Sequence, residues 1–207
     1  MATILQSVTE FFIIYLALGC SVQLRSLVQV VAAILLGDAT PYRRGRLTLN
    51  PFRHFHLMRS LLAAVGNEIV LWPMFAGRET PLDPRHWEKA KPQLTFVFLI
   101  GPIACIGLSL VFTRLYILGY FAGITNHWLG YFVVMFRLAL LAVGLFHLLP
   151  LAPLDGYKAI AIWKDKEVQL KMAKKESEAP LYHGGGLLLI VVPIYMVVAK
   201  YSWRWFA

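Results

Sequence analysis

The chain has 207 residues, 58% of them hydrophobic and 15% charged, with a mean hydropathy of +0.63. Soluble domains carry about a quarter charged residues, so this composition excludes an ordinary soluble fold and is that of an integral membrane protein. The net charge of +9 would raise nucleic-acid binding in a soluble chain, but no recognition element accompanies the basic residues, and nucleic acid is not an expected partner.

Crossing a bilayer takes about 20 apolar residues, and stretches of that kind lie at 8–36, 93–115, 129–149 and 185–203, with a shorter, more polar one at 57–73. The expected fold is therefore all-α: one multi-span membrane domain over residues 1–207, with about four spanning helices and a re-entrant or short fifth element. Nine of the twenty Lys and Arg residues fall between Arg43 and Lys91 and six between Lys158 and Lys175, whereas 116–128 has none. By the positive-inside rule the basic loops, at about 38–56, 74–92 and 157–180, are cytoplasmic. Residues 116–128 and the N-terminus are then outside, and 57–73 enters without crossing. Asn67 and Glu68 suit a re-entrant element, because polar chain at membrane depth needs protein around it. A full span with a buried Glu68 is the alternative, and it would put the loop around Arg85 outside.

In chain order, 8–36 reads as one long helix. Its Ala17-Leu18-Gly19-Cys20 looks faintly like a lipoprotein cleavage box, but no basic residue precedes the apolar run, and an uncleaved span is expected. Gly37-Asp38 ends the helix and Pro41 prevents its return. Leu47-Thr48-Leu49-Asn50-Pro51 alternates in a way compatible with a short strand and a turn. Residues 74–92 read as a surface loop whose Trp87 suits the headgroup belt. Gly101-Pro102 interrupts the next apolar run, where Pro frees a carbonyl and Gly permits close helix approach. Pro150 to Gly156 cannot be regular helix, because its prolines remove donors and bias their predecessors to extended conformations. Lys164 to Glu178 is a solvated, mixed-charge stretch that attracts anionic lipid. Gly184-Gly185-Gly186 leads into a last span that Trp203 and Trp205 anchor. Cys20 and Cys105 both fall in apolar runs and read as packing residues, not as a disulfide or a zinc knuckle.

Three segments in order resemble the bacterial branch of the site-2 protease family of intramembrane zinc metalloproteases. Gly37-Asp38-Ala39-Thr40, then Gly45-Arg46-Leu47-Thr48-Leu49-Asn50-Pro51 and His54, is similar to the stretch after the family's metal-binding helix. Gly101-Pro102 resembles its Gly-Pro-x-x-Asn element. Leu148-Leu149-Pro150-Leu151-Ala152-Pro153-Leu154-Asp155-Gly156 resembles its Asn-x-x-Pro-x-Pro-x-Leu-Asp-Gly motif. The resemblance covers roughly residues 8–165 and implies the family's fold.

It also implies where a zinc site would be. In the family a His-Glu-x-x-His motif precedes the Gly-Asp pair, since His at i and i+4 share a helix face and can hold one ion. Counting back from Gly37 puts that window at Arg25-Ser26-Leu27-Val28-Gln29. Arg25 and Gln29 stand where the histidines would be and Ser26 where the glutamate would be; arginine has no lone pair to donate and an amide is a poor zinc ligand. Only Asp155, at the family's third-ligand position, remains. In the substrate groove Cys105 and His147 replace asparagines and Ala152 a proline, while Pro150 and Pro153 are present.

Metal-assisted hydrolysis needs a metal to polarise the carbonyl and a carboxylate base. The expectation is thus a pseudoenzyme with no metal and no cofactor. An arginine mid-helix in a membrane costs about 2.5 kcal/mol or more and needs a partner or water. An Arg25–Asp155 ion pair standing in for the metal, with Gln29 as an added donor, is one reading; snorkelling or contact with another subunit is the other. His147 reads as a hydrogen-bonded core histidine or, with Asp155, as part of a rebuilt metal site. His54 and His56 read as interfacial. Arg137 and Glu68 either pair or face a partner chain. Ser26 has no base in its window and is not expected to act as a nucleophile.

The functional expectation is an accessory or scaffold subunit of a larger, possibly energy-transducing, membrane complex. Its partners would be other membrane subunits and lipid, in a prokaryotic cytoplasmic membrane. The alternatives are a protein that binds and sequesters client transmembrane helices, and a metalloprotease with a rebuilt site.

Overall fold

The computed structural model describes residues 2–50, 80–83, 87, 89–121, 123–150 and 154–164. These form five helices in chain order: α1 (Ala2–Leu35), α2 (Thr40–Arg43), α3 (Ala90–Ile117), α4 (His127–Leu148) and α5 (Asp155–Ala161). All the regular structure among the described residues is helical. Three helices are long and apolar enough to cross a membrane, at Thr9–Leu35, Ala90–Ile117 and His127–Leu148. They match the expected runs at 8–36, 93–115 and 129–149 to within about three residues. The runs at 57–73 and 185–203, with Glu68, His54, His56, Trp203 and Trp205, lie outside the described residues.

α1, α3 and α4 pack pairwise against one another, and α5 packs on α3 and α4. Two apolar clusters divide α1 between its neighbours. Ala17, Leu18 and Val22 meet Ala139, Val143 and Phe146 of α4, with Leu154 alongside. Farther along, Ala32 and Ala33 meet Val97 of α3 and the indole of Trp87. Arg25 lies between the two clusters in sequence.

The end of α1 has a clear cause. Gly37 adopts φ +95°, a conformation open to glycine at little cost. Its N–H donates to Ile34 O at 2.9 Å and that of Asp38 to Ala33 O at 2.9 Å, the paired reverse bonds that satisfy the last carbonyls of a helix. Pro41 then does not forbid helix. It sits in the first turn of α2, where a missing N–H costs nothing.

Two further expectations are corrected. No strand forms at Leu47–Leu49, which bends instead. Thr48 Oγ1 accepts the Asn50 N–H at 3.1 Å and Gln23 Nε2 donates to Leu49 O, so local side-chain bonds take the backbone groups a ladder would use. Trp87 is not a headgroup anchor; it is buried, because the small faces of Ala32 and Ala33 leave room for its ring.

Candidate functional site

Arg25 and Asp155, 130 positions apart in sequence, form a buried salt bridge, Arg25 Nη1 donating to Asp155 Oδ2. Only 6% of Arg25 and 5% of Asp155 is exposed. Helix α1 supplies the arginine. Asp155 opens α5, and the close approach of α5 to the end of α4 depends on Gly156, where a Cβ would lie 2.2 Å from Leu148 O and 2.8 Å from Leu149 O. No other residue fits there without moving the end of α4.

Helix α3 approaches from the other side. A Cβ on Gly101 would lie 2.9 Å from Arg25 O and 2.9 Å from Gln29 Cγ, so glycine is what lets the two backbones come together. Pro102, inside α3, has no N–H to give to Phe98 O, the carbonyl four residues back. Gln29 Nε2 donates to that carbonyl at 3.3 Å, and Thr80 Oγ1 donates to Gln29 Oε1 at 3.3 Å. Gln29 is therefore not an added donor to Asp155, as its spacing from Arg25 led us to expect. It repairs the hydrogen bond that Pro102 breaks.

The neighbouring polar groups are also turned to structure. Ser21 Oγ donates to Ala17 O at 2.8 Å, and Cys105 Sγ lies 3.8 Å from Ser21 O, a weak contact at a fully buried position. His147 is buried, with Nδ1 2.9 Å from Val143 O. A carbonyl only accepts, so that contact places a proton on Nδ1. Ser26 is buried and Pro150 exposed; Ala152 and Pro153 lie outside the described residues. Both cysteines are free thiols.

Asp155 lies beyond the three spanning helices. Burial works to raise its carboxyl, but the positive charges around it, Arg25 foremost, outweigh burial and hold it below the ordinary carboxylate range.

Asp38 is an organising residue whose role its place at the end of α1 conceals. It is fully buried. Oδ1 accepts the Thr40 N–H and Oδ2 the Asp83 N–H, each at 2.8 Å. Together with the Thr80–Gln29 bond and the burial of Trp87, this ties residues 80–87, where described, along the C-terminal half of α1. The Asp-x-Thr spacing is the local signal for the first bond, since an Asp side chain readily accepts from the backbone two residues on. Nothing local signals the second.

A zinc site needs at least three protein ligands drawn from His, Cys, Asp and Glu. Among the described residues no three such side chains come together to hold a metal. The one carboxylate at the site is engaged by Arg25, whose guanidinium carries five donors and no acceptor. The described residues at the site do not fit the ion.

Fold and site together define a membrane protein, helical in all the regular structure of its described residues, with a buried arginine–carboxylate pair joining α1 to the start of α5. A curated protein of Bacillus subtilis (strain 168), named "Putative zinc metalloprotease YwhC", is 29% identical over 180 residues, covering 84% of this chain and 78% of that protein. That likeness is consistent with a site-2-protease-like family. No family model matches the chain, and no solved structure matches it.

Proposed function

We propose that this protein is a catalytically inactive site-2-protease-like membrane protein, in which the guanidinium of Arg25 takes the place of a metal cation against Asp155. It serves as an accessory or scaffold subunit of a larger membrane complex. The observation that carries this reading is the buried Arg25–Asp155 salt bridge, at the two positions where the family resemblance would put metal ligands. A fixed organic cation neutralises the carboxylate as a metal would, but it cannot generate a bound hydroxide. The base is missing as well, since Ser26 stands at the glutamate position, and the Gln29 amide is engaged by Phe98 and Thr80. What remains is a strut that holds α1 to the start of α5.

The chain sits in a prokaryotic cytoplasmic membrane with its N-terminus and residues 116–128 outside and its basic loops inside, an orientation supported by the distribution of Lys and Arg. The experiment that tests the assignment is purification in mild detergent with identification of the chains that accompany it. A subunit brings the same partners at fixed stoichiometry. A variable set of single-span proteins would point instead to the sequestering of client helices, and turnover of a transmembrane peptide by the purified protein would overturn the inactive reading.

A further inference from the structure

Helix α5 is tied to its neighbours along its length. Its first residue, Asp155, pairs with Arg25. Farther on, the Lys158 ammonium lies 6.0 Å from the centroid of the Phe98 ring, and just past the helix Trp163 Nε1 donates to Thr95 Oγ1 at 2.9 Å. The order of these contacts, 158 with 98 and then 163 with 95, means that α5 and the turn after it run antiparallel to α3, toward its N-terminal end. Thr95 is held in turn, its Oγ1 donating to Lys91 O at 2.9 Å.

That end of α3 is where its composition changes. Lys89 and Lys91 are exposed, and the apolar run follows directly, so the Trp163–Thr95 contact lies one helical turn past the last charged residue. The Trp163 N–H donates to Ile160 O at 3.1 Å, a three-residue turn that stacks positions i and i+3 on one side. Both side chains on that side are open, Ile160 50% and Trp163 58% exposed. The indole N–H is already satisfied inside the chain, so the ring presents apolar surface outward. Lys164, also exposed, follows it. A fixed indole between an isoleucine and a lysine suits a boundary that is apolar on one side and charged on the other. The sign of that charge is set by the neighbours. Residues 89–98 and 155–164 carry Lys89, Lys91, Lys158 and Lys164 against Asp155, and Asp155 is taken by Arg25.

We infer that Ile160, Trp163 and Lys164, with Lys91 one turn from Thr95 on α3, form a binding site for an anionic phospholipid. The lysines meet its phosphate, and the ring and Ile160 meet the glycerol and the first methylenes of its chains. The inference stands on α3 and the end of α5, and its failure would leave the reading of Arg25 untouched.

The test uses the full chain in phosphatidylcholine vesicles that hold one brominated lipid at a time, phosphatidylglycerol or phosphatidylcholine, at equal mole fraction. Bromine quenches tryptophan on contact, and the Trp163 signal is the difference between the protein and its Trp163→Phe variant. Brominated phosphatidylglycerol should quench that signal as though enriched roughly two- to five-fold, the order that one lysine near a membrane surface contributes. Lys164→Gln should remove most of the enrichment and Lys164→Glu all of it. Thr95→Val, which takes away the acceptor of the indole N–H, should lower it by freeing the ring. Arg114→Gln, at an exposed position near the other end of α3, should leave it unchanged. Equal quenching by the two lipids, or quenching by neither, would overturn the inference, as would an enrichment that Lys164→Glu leaves intact. A fall in Arg114→Gln equal to that in Lys164→Gln would mark a general effect of net charge and overturn it too. So would an enrichment erased by inorganic phosphate at constant ionic strength, which would make the free anion the ligand in place of the lipid.

Discussion

Arg25 and Arg137 are both arginines set well inside apolar helices, and the protein treats them in opposite ways. Around Arg25 the chain folds back on itself: Gly156 allows α5 to start against the end of α4, and the carboxylate thus delivered neutralises the charge inside the molecule. Around Arg137 the described residues bring an aromatic ring and a hydroxyl bound to its backbone, but no carboxylate. The first arrangement makes a charge into part of the framework. The second leaves a charge against an aromatic face with no carboxylate beside it among the described residues. An arginine in a membrane helix thus does not have a single meaning; which segment is brought to it decides how its charge is compensated.

The comparison breaks most visibly at Asp155. Replacing it by Asn leaves a buried guanidinium uncompensated, and we expect a loss of about 3–5 kcal/mol in unfolding free energy. The double variant Arg25→Leu with Asp155→Leu should recover most of that loss, because both charges leave together. A double variant as unstable as Asp155→Asn would show that the pair is not the source of the penalty. Gly156→Ala acts on the same pair through the backbone. Its Cβ cannot lie 2.2 Å from Leu148 O, and relieving the overlap should cost about 1–3 kcal/mol and shift the thermal midpoint downward.

Gln29→Leu sharpens the distinction between the pair and the groups beside it. It removes the donor that serves Phe98 O, and about 1 kcal/mol should be lost, with the Arg25–Asp155 coupling unchanged in a double-mutant cycle. Arg137→Leu is the smallest effect expected. With no carboxylate beside it among the described residues to strand, it should leave the stability of the isolated chain unchanged or slightly raised. A loss as large as that of Asp155→Asn would erase the contrast between the two arginines.

Much of this was legible in the sequence, and the exceptions have physical reasons. The three spans among the described residues follow from apolar runs bounded by Gly37-Asp38, Lys91 and Asn126, where the composition changes abruptly. The Arg25–Asp155 contact followed from the family resemblance together with the cost of an unpaired arginine in a membrane. The i+4 rule says which face Gln29 shares with Arg25 but not that Pro102 leaves an acceptor on the facing helix. Trp87 differs for a related reason: an aromatic in a charged loop suits a headgroup, and only the tertiary fold brings Ala32 and Ala33 beneath it. The Leu47–Leu49 alternation had no partner strand, and alternation without a partner loses to local bonds such as Thr48 to Asn50. The second bond of Asp38, to Asp83, spans 45 positions and has no local signature at all.

The central claim is that a guanidinium occupies the place of a metal, and the direct measurement is the zinc content of the protein purified from its native membrane without chelators, by elemental analysis against protein concentration. The account predicts far less than one zinc per chain, unchanged in Asp155→Asn, since Asp155 is held by Arg25 and not by an ion. About one tightly held zinc per chain, lost in Asp155→Asn, would contradict it.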